Sequence, residues 1–119
     1  MKWARAQKAD GTEITGVIVD EMLHPKASLG SETGTGEAVA LSDLTLLAPV
    51  VPGKFIGLWN NFKAAAEKGG MEHPAHPLYF CKTDTSLSGP GAEVTLPTSA
   101  GRVVFEGELG IVIGKTCKN

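Results

Sequence analysis

Two acidic side chains near the C-terminal end, Glu106 and Glu108, are the pair in this sequence best suited to chemistry. They lie in Arg102–Gly114, where alternating aliphatic and β-branched residues predict a long strand. In that reading one face carries Val103, Phe105, Gly107, Leu109, Ile111 and Ile113. The other carries Val104, Glu106, Glu108, Gly110, Val112 and Gly114, so both carboxylates point the same way. Their Cα atoms are then about 6–7 Å apart, and the long side chains converge on one point. If Val104 and Val112 bury the ends of that face, the two anions must take up a proton or meet a cation. A divalent ion satisfies both. Oxygen donors without His or Cys favour Mg²⁺ or Mn²⁺, with Ca²⁺ also admissible, over zinc. The opposing reading is a solvated edge strand whose acids discourage pairing, and two acids taken alone favour that reading.

Other candidates are less specific. His73 and His76 sit three apart around Pro74, a spacing open to a second metal or a base. The prolines argue against a shared helical face, and two loop histidines read first as polar surface. His24, before Pro25, says less still. Glu67 lies four residues after Lys63 on a helix and reads as solvent-facing. Trp59 and Phe62 flank the start of that helix and are expected in the core.

The elements that must position these residues are strands and turns. The 119 residues include 15 Gly and 7 Pro and offer little helix. A β-dominated fold is expected. Lys2–Gln7 and Ile14–Val19 with Asp10-Gly11 between them predict an N-terminal hairpin. Residues 28–37 read as a mobile loop, and Leu41–Ala48 before Pro49 marks a boundary between residues 1–48 and 49–119. Strands are expected at Lys54–Leu58, Leu78–Lys82 and Glu93–Leu96. A helix is expected over Phe62–Lys68, capped by Asn60-Asn61 and stopped by Gly69-Gly70. Gly89-Pro90-Gly91 is a turn.

Charge and composition exclude some functions. With 11 basic against 13 acidic residues and a net charge of −2, nothing offers a field for nucleic acid. No run approaches the ~20 apolar residues of a membrane span, and no apolar stretch follows the basic N-terminus. Cys81 and Cys117 read as reduced thiols, and the protein is expected in the cytoplasm.

Four segments taken in order are far more specific than any one alone: Phe55-Ile56-Gly57-Leu58 before the helix, Pro77-Leu78-Tyr79-Phe80-Cys81-Lys82, Gly89-Pro90-Gly91, and Phe105-Glu106-Gly107-Glu108-Leu109-Gly110-Ile111-Val112-Ile113-Gly114-Lys115. From about Leu46 onward the chain resembles the fumarylacetoacetate hydrolase family. The resemblance implies a mainly β (α+β) fold, with a small N-terminal β subdomain and the first part of a mixed β-barrel or roll carrying one short helix. It implies a metal-dependent enzyme acting on small oxo- or diketo-acids, as in aromatic-compound catabolism. The reactions are C–C hydrolysis, decarboxylation or isomerisation through an enolate stabilised by the metal, beneath a mobile helix that excludes water. Glu106 and Glu108 match the first two metal ligands. Lys82 matches a lysine that meets a substrate carboxylate, with a plain surface lysine as the alternative. A homodimer is the expected assembly.

The sequence also departs from that pattern. The family continues with a further stretch of barrel carrying an aspartate as third ligand, whereas Asp10, Asp20, Asp43 and Asp84 all precede the Glu pair. A fragment or truncated product is therefore expected, inactive unless the rest of the barrel is supplied, with a weak or absent metal site. The family's His-x-x-Glu dyad retains Glu67 but has Ala64 or Lys63 in place of the histidine. Neither replaces imidazole as a base, so hydrolysis is the least secure of the three reactions. A non-catalytic oligomerising or regulatory module built on the same fold is the alternative.

Overall fold

A computed structural model describes residues 1–118. Five short strands, β1 (Lys2–Lys8), β2 (Glu13–Val19), β3 (Met22–Pro25), β4 (Val39–Ala40) and β5 (Leu44–Leu47), form one antiparallel sheet. Their order is β4-β3-β2-β1-β5. The N-terminal hairpin forms where Asp10-Gly11 places it. Gly11 takes φ +86° and donates to the Lys8 carbonyl, and the Asp10 carboxylate accepts the Thr12 N–H at 2.8 Å. That hydrogen bond, with a second from the Thr12 hydroxyl and the nearby Lys8 charge, holds the Asp10 carboxyl below its usual value. A second hairpin turn, Asp20-Glu21, has φ of +46° and +59°, the left-handed geometry that matches strand twist.

The core lies against this sheet. Ala4 and Ala6 are small and share one side of β1, so Leu23 from β3 and the flanking Ile14, Ile18, Leu41, Leu44 and Leu46 can close over them. Leu23 is the one large side chain fully buried among the described residues. On the opposite side of β1, Arg5 meets both oxygens of Glu13 at 3.1 and 3.3 Å and donates to the Ala48 carbonyl at 2.9 Å. Arg5 thereby ties the end of β5 to the first hairpin. Residues 28–37 are irregular and largely exposed, and Lys26 reaches into them to donate to the Ser31 carbonyl.

A second, two-stranded antiparallel sheet pairs β6 (Phe55–Trp59) with β7 (Leu78–Lys82), one residue later than expected for β6 and as expected for β7. Between them runs the helix α1 (Lys63–Lys68). Its Ala-Ala-Ala-Glu-Lys run is strongly helix-forming, and it buries Ala66. It ends in a Schellman arrangement. Gly70 adopts φ +67°, its N–H donates to the Glu67 carbonyl, and the Met71 N–H donates to the Ala66 carbonyl. The expected asparagine cap does not form. The residue at the N-cap is Phe62, with no side-chain cap, while Asn60 sits at φ +52° and donates its amide to the Glu72 carbonyl at 2.9 Å. Asn60 therefore joins the end of β6 to the segment after the helix.

The Gly89-Pro90-Gly91 turn is present, with Gly91 at φ +74° and Ala92 donating to the Gly89 carbonyl. Proline at the second and a left-handed glycine at the third position make it a type II turn. Gly89 lies against Leu47-Ala48, where a Cβ would come within 3.1–3.2 Å of the backbone.

Two expected strands are absent. Glu93–Leu96 and Arg102–Gly114 have no regular secondary structure. The alternation in Arg102–Gly114 produces no buried face: Phe105 is 97% exposed and Leu109 81%, and the residues between them are exposed as well. A strand exists only through the ladder of a neighbour, and among the described residues no strand pairs with this segment. The radius of gyration is 18.1 Å, against about 13–14 Å for a compact chain of this length, in keeping with a segment that packs on nothing. Among the described residues no helix is long and apolar enough to cross a membrane.

Candidate functional site

The β6–β7 sheet and α1 gather most of the candidate residues. Register sets their positions: Phe55 pairs with Lys82 at one end and Trp59 with Leu78 at the other, with Gly57 opposite Phe80 in the middle. Four strand steps separate the two ends, about 13 Å.

At the first end, the Lys82 ammonium stands 5.2 Å from the centroid of the Phe55 ring and 5.8 Å from that of Phe80. Both lie within the ~6 Å at which a ring face attracts a cation. Phe80 and Lys82, two apart on one strand, share a side of the sheet, and Phe55 is the cross-strand neighbour. Lys82 is thus an exposed cation whose ammonium is held over aromatic faces rather than paired with an acid.

At the other end, Trp59, Asn61, His73, Ala75, His76 and Pro77 are among the residues lining a cleft of about 130 Å³. The volume equals roughly four waters. The lining holds no carboxylate, and both histidines open into it. Trp59 and Phe62, expected in the core, are instead half exposed: Trp59 is 54% exposed and Phe62 50%. Among the described residues no second layer covers this part of the small sheet. Because Lys82 and this cleft stand at opposite ends of the sheet, one small oxo-acid does not span both.

Glu67 is exposed on α1, and no ion pair joins it to Lys63; Arg5–Glu13 is the one salt bridge among the described residues. Glu106 and Glu108 are exposed in irregular backbone, so the shared face expected of a strand is not formed. Among the described residues no three His, Cys, Asp or Glu side chains converge on a possible metal position. Two carboxylates without imidazole or thiolate suit a hard ion in donor chemistry. They supply only a minority of the six or more oxygens such an ion takes, so the described residues do not build a full coordination shell.

The aromatic partners of Lys82 were missed in the sequence. Phe80-x-Lys82 is visible as a same-side pair, but Phe55 joins it only once the strand register is known. Trp59 carries no such signal, since its spacing is equally that of a core residue.

Comparison with known proteins fits this layout. The profile described as Fumarylacetoacetate (FAA) hydrolase C-terminal matches residues 54–119, which include β6, α1, β7 and the Glu pair. The chain belongs to the fumarylacetoacetate hydrolase family. It is 40% identical over 96 residues to Protein Rv2993c of Mycobacterium tuberculosis, covering 81% of this chain and 35% of that protein. It is 35% identical over 81 residues to the fumarylacetoacetate hydrolase domain-containing protein 2 homolog of Dictyostelium discoideum, covering 68% of this chain and 27% of that one. A solved structure of an uncharacterized protein from Mycobacterium abscessus superposes with a TM-score of 0.68 at 32% identity, over 85% of this chain and 40% of the other. The chain spans about a third of the length of the curated relatives it matches.

Proposed function

We propose that this chain contributes part of an active site acting on small oxo- or diketo-acids, with Lys82 meeting a substrate carboxylate and Glu106 and Glu108 contributing to a Mg²⁺ or Mn²⁺ site. The observation that carries the reading is the family match over residues 54–119, a stretch that holds all three residues. A divalent ion at the acids would supply electrostatic stabilisation of negative charge developing on a substrate carbonyl oxygen.

The chain's own residues bind and orient. The Lys82 ammonium fixes the substrate by its carboxylate, and its place at the end of β7 fixes the backbone from which that side chain extends. Glu67 on α1 is the base nearest the family's dyad position, and it takes or returns a proton during tautomerisation or decarboxylation. Hydrolysis demands more of a base, because water must be activated. Either Lys63 or Ala64 stands where an imidazole would do that work, so isomerisation or decarboxylation is the better reading. The working assembly is a homodimer.

Mn²⁺ broadening of backbone amide signals tests the metal assignment on the chain itself. Signals of Glu106 to Glu108 should broaden at the lowest Mn²⁺ concentration, and Glu106→Gln with Glu108→Gln should abolish this. Equal broadening in the double variant refutes the assignment. A second reading, a non-catalytic oligomerising module, draws on the exposed apolar side chains of residues 103–113. Sedimentation of a Mn²⁺-indifferent dimer with no turnover of oxaloacetate would favour it.

A further inference from the structure

Gly57 stands opposite Phe80 in the β6–β7 ladder, and a Cβ there would lie 2.5 Å from Phe80 Cζ and 2.9–3.0 Å from both Cε atoms. The Phe80 ring therefore lies flat over the backbone of Gly57, in space that any side chain would occupy. From there it presents a face to the Lys82 ammonium at 5.8 Å, while Phe55 presents another at 5.2 Å. A lysine has a long, flexible stem, and an exposed one ordinarily samples many rotamers. Here two rings restrict it, and the absence of a side chain at Gly57 admits one of them.

We propose that Gly57, Phe80 and Phe55 are positioning residues that hold the Lys82 ammonium ready for a substrate carboxylate. The proposal rests on the reading of Lys82 given above and deepens it. The rings leave the charge unneutralised, as an acid partner would not, so the cation keeps its attraction for an incoming carboxylate. Pre-ordering a lysine removes the entropy cost that binding would otherwise bear, so losing the clamp weakens carboxylate binding about 2- to 12-fold.

The test labels the lysines of the full chain by reductive ¹³C-methylation, which keeps their charge. The Lys82 signal is assigned by its loss in Lys82→Arg. Ring currents should displace that signal upfield of the other lysines, Phe80→Leu should remove much of the displacement, and Phe80→Tyr should restore it. Gly57→Ala should act like Phe80→Leu by displacing the ring. If Phe80→Leu loses its folded circular dichroism, Phe55→Leu serves in its place. A Lys82 signal that coincides with the other lysines, or ignores both ring substitutions, overturns the clamp. Pyruvate titration then separates the two layers of the argument. Pyruvate that binds wild type 2- to 12-fold more tightly than Phe80→Leu supports positioning, and equal affinity overturns it. If pyruvate leaves the Lys82 signal unmoved while the ring-current displacement is intact, the carboxylate role of Lys82 is what fails.

Discussion

Replacing Gly16 with alanine should unfold the N-terminal sheet far more readily than any other glycine-to-alanine change in it. Gly16 lies in β2, opposite Pro25 of β3, with Ala4 of β1 on its other side. An added Cβ would fall on the His24 carbonyl oxygen, with the His24 carbonyl carbon at 2.7 Å and the Pro25 Cα at 3.0 Å. These are backbone atoms, which no rotamer change can move aside. Restoring an ordinary 3.4 Å contact to the carbonyl carbon alone requires β2 and β3 to separate by about 0.7 Å, and the nearer carbonyl oxygen requires more, which stretches a 2.9 Å hydrogen bond beyond useful range. Losing two ladder bonds at about 1 kcal/mol each, with about 1 kcal/mol of packing strain, gives about 3 kcal/mol. For a domain of this size the melting temperature falls by roughly 10–15 °C. Two controls isolate the cause. Gly11→Ala meets nothing within 4 Å but sits at φ +86°, and costs about 1 kcal/mol through the backbone alone. Gly30→Ala meets nothing within 4 Å and has no left-handed φ, so it changes stability by less than about 1 kcal/mol. Thermal melts followed by circular dichroism give the order. A Gly16→Ala protein that melts at or above the Gly11→Ala protein refutes the β2–β3 packing described here.

Leu23→Ala should cost about 3 kcal/mol, since Leu23 is the one large fully buried side chain described, and urea denaturation reads the loss as a lower midpoint. Asp10 gives a pH prediction. Its carboxyl is held low by the Thr12 N–H, so its contribution is complete above the ordinary value of 3.8 and fades as pH falls through the lower folded value. Asp10→Ala should therefore lower the melting temperature at pH 7, with the difference from wild type shrinking as the solution is acidified below pH 3.8; a constant difference would contradict it.

The parts of the fold legible in the sequence are those whose geometry is dictated within a few residues. Asp10-Gly11 supplies both the side-chain acceptor and the left-handed glycine of its turn, Gly69-Gly70 ends α1 by the same freedom, and Pro90-Gly91 can hardly make another turn. Leu78–Lys82 was readable because the prolines before it and the turn after it bound the run. Where an answer depends on a distant partner, local chemistry misleads. Asn60 has the side chain of a helix cap, yet its amide is used to hold Glu72, a choice made by the path of the chain after α1. Trp59 and Phe62 have core-like character, but both are half exposed among the described residues. Lys82 is singled out as a candidate by resemblance alone, whereas its two aromatic neighbours needed the β6–β7 register.

The two acids depend on a distant partner in the same way. Alternation in Arg102–Gly114 states which residues would share a face if a neighbouring strand held the backbone extended, and in the structure described no neighbour does so. Glu106 and Glu108 are then separated by Gly107, the residue with the most backbone freedom to lose. Fixing these three residues costs roughly 1–2 kcal/mol each, about 3–6 kcal/mol together. An ion that must organise them itself binds about 10²- to 10⁴-fold more weakly than one meeting them already aligned. If the two acids hold an ion as proposed, metal affinity and strand pairing are coupled: a strand pairing with residues 102–114 would tighten ion binding. By the same linkage, an ion bound there would favour the extended backbone that a pairing strand needs.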